Sequence, residues 1–395
     1  MRLDWELCDL NQEVLTRLDN RRPGGHVDLG LCAGRRAFCP LSLGDPALDL
    51  AKSLETVLRV TLKGPDEFSM PLFIGKVTIP ERGSESGKRE LGINALDPFF
   101  HLERILARKV TGSVWEALAF AATDQSQIMW GLVDSQEGHG VAEGSLPASV
   151  KRDRTYAPGK EIGPALVEMS EVEGGPDFEL EPVIASDGTL CQLNTFYPRQ
   201  GSDLSEEVVF VHGKAPYTAT AFRFAPGGEE VANRVLAIGA PRDQEGESPF
   251  AEHPGYVAEH AGSIALYKGA YERRLQLDDV IETATLEAHA KGEVAASAFP
   301  PLFFEFTSAP EQADEETGEG VPPIFGVDYW LGDAIGVQHY ADPEDEPLEV
   351  TGRVTDAVIT ERASRQLEVK VTCAPELTSE GVTGKAVTVR VPEGE

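Results

Sequence analysis

DFELEPV (177–183), LNTFYPRQGSD (193–203), EEVVFVHGK (206–214) and TAFRFAPGGEEVANRVLAIGA (220–240) are the segments whose reading decides the fold class. Phe178 and Leu180 alternate with charged neighbours, Val208 to Val211 is a short apolar run, Phe222 and Phe224 flank Arg223, and Val235 to Ile238 is apolar again. A period of two in runs this short is the pattern of strands, not helices. Gly188, Pro198 to Gly201, Gly213 and Pro226-Gly227-Gly228 separate the runs with turn chemistry, because glycine accepts positive φ and proline presets φ near a turn value. The stretch is expected to form a β-meander, and none of its turns carries a catalytic constellation.

Outward from this stretch, the N-terminal 105 residues show the same period. Trp5 and Leu7 alternate with Asp4 and Glu6, and Leu58, Val60 and Leu62 with Arg59 and Thr61; Leu72 to Ile79 follows a Gly64-Pro65 turn. Short alternating strands at close spacing fit a small sandwich or barrel. NALDPFFHLERILARK (94–109) predicts a helix with Asp97 as N-cap and Pro98 in its first turn. Trp115, Leu118, Ala119, Ala122, Met129, Leu132 and Val133 form one expected amphipathic helical stripe opened by Ser113, a packing face and not a cofactor box. Gly138 to Lys160 is expected to be a loop, and Ile162 to Val172 a short helix with Ala165, Leu166, Met169 and Val172 inward.

Towards the C-terminus, Ser263 to Tyr267 is expected as a strand. A helix capped by Asp278 or Asp279 should run to about Lys291 and stop at Gly292. Pro310 to Pro323, rich in Asp and Glu, has little to bury and predicts an exposed loop. FGVDYWLGDAIGV (325–337) reads as a bent strand with its break at Gly332-Asp333, and the alternations at 367–373 and 387–391 as a terminal, half-buried hairpin. The expected class is therefore α+β, predominantly β, with several small β-barrel or sandwich domains and a helical insertion. Its expected spans are 1–105 (β-barrel-like), 106–182 (helical α+β), 183–255 (β-meander), 256–310 (α+β) and 311–395 (β-barrel-like).

Composition narrows function. The 395 residues include 66 acidic and 35 basic side chains, a formal charge of −31. Nucleic-acid binding in general is disfavoured, since it needs clustered cations to displace counterions from phosphates. The acidity serves either solubility or a passage wall that repels phosphate. Cys8, Cys32, Cys39, Cys191 and Cys373 are odd in number and scattered without C-x-x-C, so neither a disulfide framework nor a zinc site is indicated, and buried thiols made in a reducing cytoplasm are expected. The N-terminal MRLDWELCDL lacks the apolar core of a signal peptide, and no apolar run of membrane-spanning length occurs.

Candidate chemistry is sparse. No G-x-S-x-G, H-E-x-x-H or G-x-x-x-x-G-K-[ST] occurs. His101-Leu102-Glu103 echoes half of a deaminase motif without the P-C-x-x-C that would complete it. His253 and His260 could share a metal but lack a third ligand. Glu305 among Phe303, Phe304 and Phe306 is the least bland candidate for a hydrolytic acid, and as an alternating polar residue it is expected to face outward. KRDRTYAPGK (151–160), the most basic short run, is expected to pair with carboxylates of a neighbouring domain or subunit. No catalytic, cofactor-binding or metal residue is assigned, and no cofactor is expected.

The order of DFEL (177–180), YPRQG (197–201), a strand ending in HGK (212–214), ANRV (232–235) and IGA (238–240) resembles the minor tail proteins of non-contractile, long-tailed phages of actinobacteria, which are in turn similar to baseplate hub proteins. Asp45-Pro46, Asp97-Pro98 and the late Gly332-Asp333 step add to the resemblance. It implies a non-enzymatic virion protein of the tail tip, assembled in the host cytoplasm as a homotrimeric ring. Its implied neighbours are the distal tail ring protein, the tape-measure protein and tip or receptor-binding proteins, with DNA passing through without specific binding. The alternatives are a tail-associated cell-wall hydrolase and a bacterial surface or carbohydrate-binding module.

Overall fold

A computed structural model describes all residues except 43, 65–66, 79–80, 83–90, 112, 216, 227–230, 242–249, 278–279, 301, 309–320, 345, 365, 375–380 and 393–395. The acidic loop expected at 310–323 therefore falls largely outside the described residues, as do the expected caps Asp278 and Asp279. The fold is α+β and predominantly β.

Alternation builds the first strands as expected. In Arg2–Cys8, Leu3, Trp5 and Leu7 are buried while Arg2, Asp4 and Glu6 are not. Opposite them, Val57–Lys63 pairs antiparallel with Trp5 against Val60 and Leu7 against Leu58. These strands belong to a fourteen-stranded sheet, one half of which comes from residues 2–96 and the other from residues 209–374. The seam is Leu348–Glu361, fourteen residues long. Its first half pairs with Ala334–His339, its second half with His26–Gly30, where Ala357 faces Leu29, and its other edge with Leu367–Ala374. One apolar core follows from this pairing, in which Leu3, Trp5, Val60 and Phe73 pack with Phe210, Phe304, Phe306, Val354 and Val371. Arg21 and Glu361 close it with a bidentate ion pair at 2.7 and 2.8 Å, both side chains about 95% or more buried.

Hydrogen-bonded ladders thus run across the five consecutive spans read from sequence. The expected meander is corrected. Its strands form, but only Asp177–Pro182 and Cys191–Phe196 pair with each other. Val209–His212 pairs parallel with Ala334–His339, Ala219–Pro226 with Leu302–Ser308, and Arg234–Gly239 with Phe250–His260 and Glu272–Leu277. The expected terminal hairpin is likewise corrected: Leu367–Ala374 joins the large sheet, whereas Val382–Pro392 pairs with Phe250–His260. The physical reason is that alternation specifies which face a strand buries and says nothing about which distant edge it joins.

A second core lies beside the large sheet. The helices Gln125–Asp134 and Ile162–Glu171 pack Ile128, Met129, Leu132, Leu166 and Met169 against Phe178, Leu180 and Leu193 of a three-stranded sheet. The expected helical stripe from Trp115 is only half helical. Val114–Glu116 and Leu118–Asp124 are strands, and the helix starts after Asp124, whose Oδ1 accepts from the Ser126 N–H at 3.0 Å. Pairing of Val114–Glu116 with Lys109–Thr111 and of Leu118–Asp124 with Lys151–Tyr156 decides that conformation; the second pairing also makes part of the expected 138–160 loop extended. The helix expected at 94–109 shrinks to Phe99–Leu102, with Asp97 Oδ1 accepting from the Phe99 N–H.

A third core packs the helix Thr283–Ser297 on a four-stranded sheet through Val235, Ala237, Ala258, Leu286, Ala290 and Val294. Gly292 lies inside this helix and does not stop it. A Cβ there would stand 2.4 Å from the Glu171 carbonyl oxygen, so glycine permits the close crossing of two helices. Ala261–Tyr267 is a helix, not the expected strand, and His260 Nδ1 caps it by accepting from the Ser263 N–H at 3.0 Å.

Candidate functional site

Where the second core meets the large sheet, three motifs from distant parts of the chain converge. Asp177 opens the DFEL strand with its side chain only 2% exposed. Its Oδ1 accepts from Arg199 Nη1 at 2.9 Å, its Oδ2 from the Gln200 N–H at 2.7 Å, and Arg353 Nη2 donates to the same Oδ2. Arg353 also donates to the carbonyls of Gly332, at 3.0 Å, and Gln200, at 2.9 Å. Two residues on, Glu179 accepts from Arg35 Nη2, from Gln200 Nε2 at 2.9 Å and from the Trp330 indole at 3.2 Å. Arg35 Nη1 continues to the Leu72 carbonyl at 2.9 Å, which ties the network to the N-terminal strands.

The backbone around it admits no side chain at two points. Gly201 has φ +89 and its Cβ would lie 2.2 Å from the Gly332 carbonyl carbon; Gly332 has φ +91 and faces the Gln200 carbonyl oxygen. Asp333 secures the approach, with Oδ1 accepting from Ser202 N–H and Oδ2 from Trp330 N–H, both at 2.7 Å. A buried carboxylate held by two guanidinium groups and a backbone N–H is fixed in one orientation. Cys32 Sγ also lies against Asp177 Oδ1 at 3.9 Å, and burial pushes that thiol up to about 12, far from a nucleophilic thiolate. The arrangement is a mechanical joint, chemically suited to fixing the helical module on the sheet.

The other residues raised by the sequence are dispersed. Glu305 points outward and pairs with Lys370 at 2.9 Å. His253 Nδ1 contacts the Gly239 carbonyl and His260 caps a helix, so they do not converge on one point. Among the described residues no group of three or more His, Cys, Asp or Glu side chains is placed to hold a metal. Within the basic run, Lys160 pairs with Glu168 at 2.6 Å, a carboxylate of the same expected span and not of a neighbouring domain or subunit. Arg152 instead donates to the Glu173 carbonyl, and buried Arg154 meets His289 Nε2 at 3.0 Å. Burial and those cations push the His289 pKa down to about 3. The thiols of Cys8, Cys39, Cys191 and Cys373 are buried and free, and burial pushes Cys8 up to about 11. No described helix is long and apolar enough to cross a membrane.

The joint itself escaped sequence reasoning, although DFEL, YPRQG and Gly332-Asp333 were each legible as separate motifs. An alternating strand that begins on a carboxylate, followed by an arginine in a turn, was the available clue.

This strand-rich fold, with a helical module locked to the large sheet by buried ion pairs, is similar to that of solved phage tail proteins. The tail protein from Neisseria meningitidis MC58 superposes with a TM-score of 0.57 at 13% identity, covering 96% of this chain and 99% of that one. The 43 kDa tail protein of prophage MuSo2 from Shewanella oneidensis gives 0.53 at 8% identity over 95% and 98% of the two chains. Prophage tail protein gp18 from Listeria monocytogenes EGD-e gives 0.50 at 8% identity over 93% and 94%. No protein-family model matches the sequence, and no curated protein matches it.

Proposed function

We propose that this chain is a structural protein of a phage tail, placed at the tail tip as a hub or minor tail protein of the non-contractile type that its motifs resemble. The observation that carries this reading is the full-length similarity of fold to three tail proteins, over 93% or more of this chain in each case. In this reading the protein acts without catalysis. It forms a homotrimeric ring, joins the distal tail ring protein and the tape-measure protein to tip or receptor-binding proteins, and resides in the virion after assembly in the host cytoplasm. A ring component has to hold its modules rigid under load, and the buried Asp177 network supports that requirement. The formal charge of −31 suits a lumen that lets DNA slide past without binding.

Electron microscopy of intact tails carrying a labelled copy tests the placement. Label at the tip in threefold arrangement is expected; label elsewhere, or a single copy per tip, overturns it. Purified protein is also expected to leave host peptidoglycan intact in a zymogram, and a lytic band would remove the non-catalytic reading.

A further inference from the structure

With 66 acidic residues against 35 basic ones, many cations of this chain have a carboxylate beside them. Arg59 and Arg17 share Glu6, Arg234 bridges Glu259 and Glu272, and Lys291 pairs with Glu287. At one cavity the cations are not so paired. Lys76, His101 and Arg104 line a cavity of about 320 Å³ beside the turn at Asp97-Pro98. The groups acting on His101 there are Lys76, His139 and Arg104, all basic. Among the described residues none of the three has a carboxylate at ion-pair distance.

The two other titratable groups of the wall are already engaged. His139 Nδ1 accepts from the Val141 N–H at 3.0 Å and its Nε2 donates to the Gln136 carbonyl at 2.8 Å, which fixes a neutral ring. Asp97 accepts from the backbone N–H groups of Arg35, at 2.9 Å, and Phe99, at 3.1 Å, and burial pushes its pKa up to about 7. Leu54, Phe100 and Leu190 supply the apolar part of the wall. Leu54 is 62% exposed, which is costly for a leucine with nothing to cover. Clustered cations whose nearest wall carboxyl, Asp97, is taken up by backbone N–H groups, next to apolar surface in a concavity of this size, make a site for a ligand bearing both characters.

We propose that this cavity binds a small organic oxyanion, a phosphate or carboxylate attached to an apolar ring, with Lys76 and Arg104 taking the charge and Leu54 and Phe100 the ring. His101 completes the charge site. Burial, then Lys76, His139 and Arg104, hold its pKa below the ordinary histidine value. An anion seated among them reverses that repulsion, so binding takes up a proton and tightens as pH falls towards 6.

The test is calorimetric titration of the full chain with phenyl phosphate, benzoate and inorganic phosphate. Saturable binding of at least one ring-bearing anion, tighter than inorganic phosphate, is expected. Preference for phenyl phosphate assigns a phosphate source and preference for benzoate a carboxylate source. Lys76→Gln and Arg104→Gln are each expected to weaken binding about tenfold, corresponding to one charge-assisted hydrogen bond. Leu54→Ser should weaken the ring-bearing ligands and leave inorganic phosphate unchanged. Absence of saturation up to about 20 mM, where even a weak site of this kind would fill, overturns the proposal. So does unaltered affinity in a Lys76→Gln, Arg104→Gln double variant whose melting temperature matches the parent.

Discussion

Arg353 and Asp177 lie 176 residues apart in sequence and form an ion pair at the base of the DFEL strand, with Asp177 almost wholly buried. The pair connects the strand that seams the two halves of the large sheet to an edge strand of the helical module's three-stranded sheet. Asp177→Asn leaves two guanidinium groups facing a neutral amide. We expect a loss of about 3–5 kcal/mol, the usual cost of breaking a buried pair from one side. Chemical denaturation measures it, and pairing Asp177→Asn with Arg353→Met should recover part of the loss. A single change worth less than 1 kcal/mol would show that the joint is not structural.

Gly201 and Gly188 both have φ near +88, yet their surroundings differ. At Gly188 nothing lies within 4 Å of an added Cβ, so Gly188→Ala should cost only the backbone term of about 1–2 kcal/mol. At Gly201 the same methyl meets the Gly332 backbone, and Gly201→Ala should cost clearly more and loosen the helical module from the sheet. Thermal melts of the two variants side by side give the comparison.

Gly292 supplies a prediction opposite to helix propensity. In an exposed helix interior Gly→Ala gains about 1 kcal/mol. Here the methyl would collide with the Glu171 carbonyl, so Gly292→Ala is expected to lower the melting temperature.

His289 makes stability depend on acid. Its pKa is depressed to about 3 in the fold from an ordinary 6.5, so the folded state binds fewer protons than the unfolded chain between those values. The stabilisation is present above about pH 6.5 and is lost as pH falls towards 3. His289→Gln should flatten this part of the stability profile, read as the melting temperature between pH 7 and 4. Asp97 acts in the opposite sense: raised to about 7 from 3.8, it stabilises fully below the lower value and loses that contribution as pH rises through the upper one.

Much of the local structure was legible from residue order. Phe178 with Leu180, Val235 with Ala237, and Trp5 with Leu7 each marked a buried face correctly. The helix Ile162–Glu171 appeared where its apolar spacing placed it. Trp115 and Leu118 misled because a spacing of three suits a helix face, whereas Trp115 pairs with Val110 and Leu118 with Tyr156 in separate strand ladders that local spacing does not reveal. Ser263 misled because the cap that starts its helix is a histidine ring.

By itself the sequence determined which residues face inward on each strand, the predominance of β structure, the strong negative charge and the lack of catalytic motifs, because these depend on neighbours a few positions apart. Only the tertiary structure decided that Ala357 lies beside Leu29, that Val382–Pro392 joins Phe250–His260, and that Asp177, Arg199 and Arg353 meet. Strand edges are chemically alike, and a charge shows no partner in the linear order. Which edge and which counter-ion are chosen is settled when the apolar faces close on a common core and bring buried carboxylates such as Asp177 and Glu361 to their guanidinium partners.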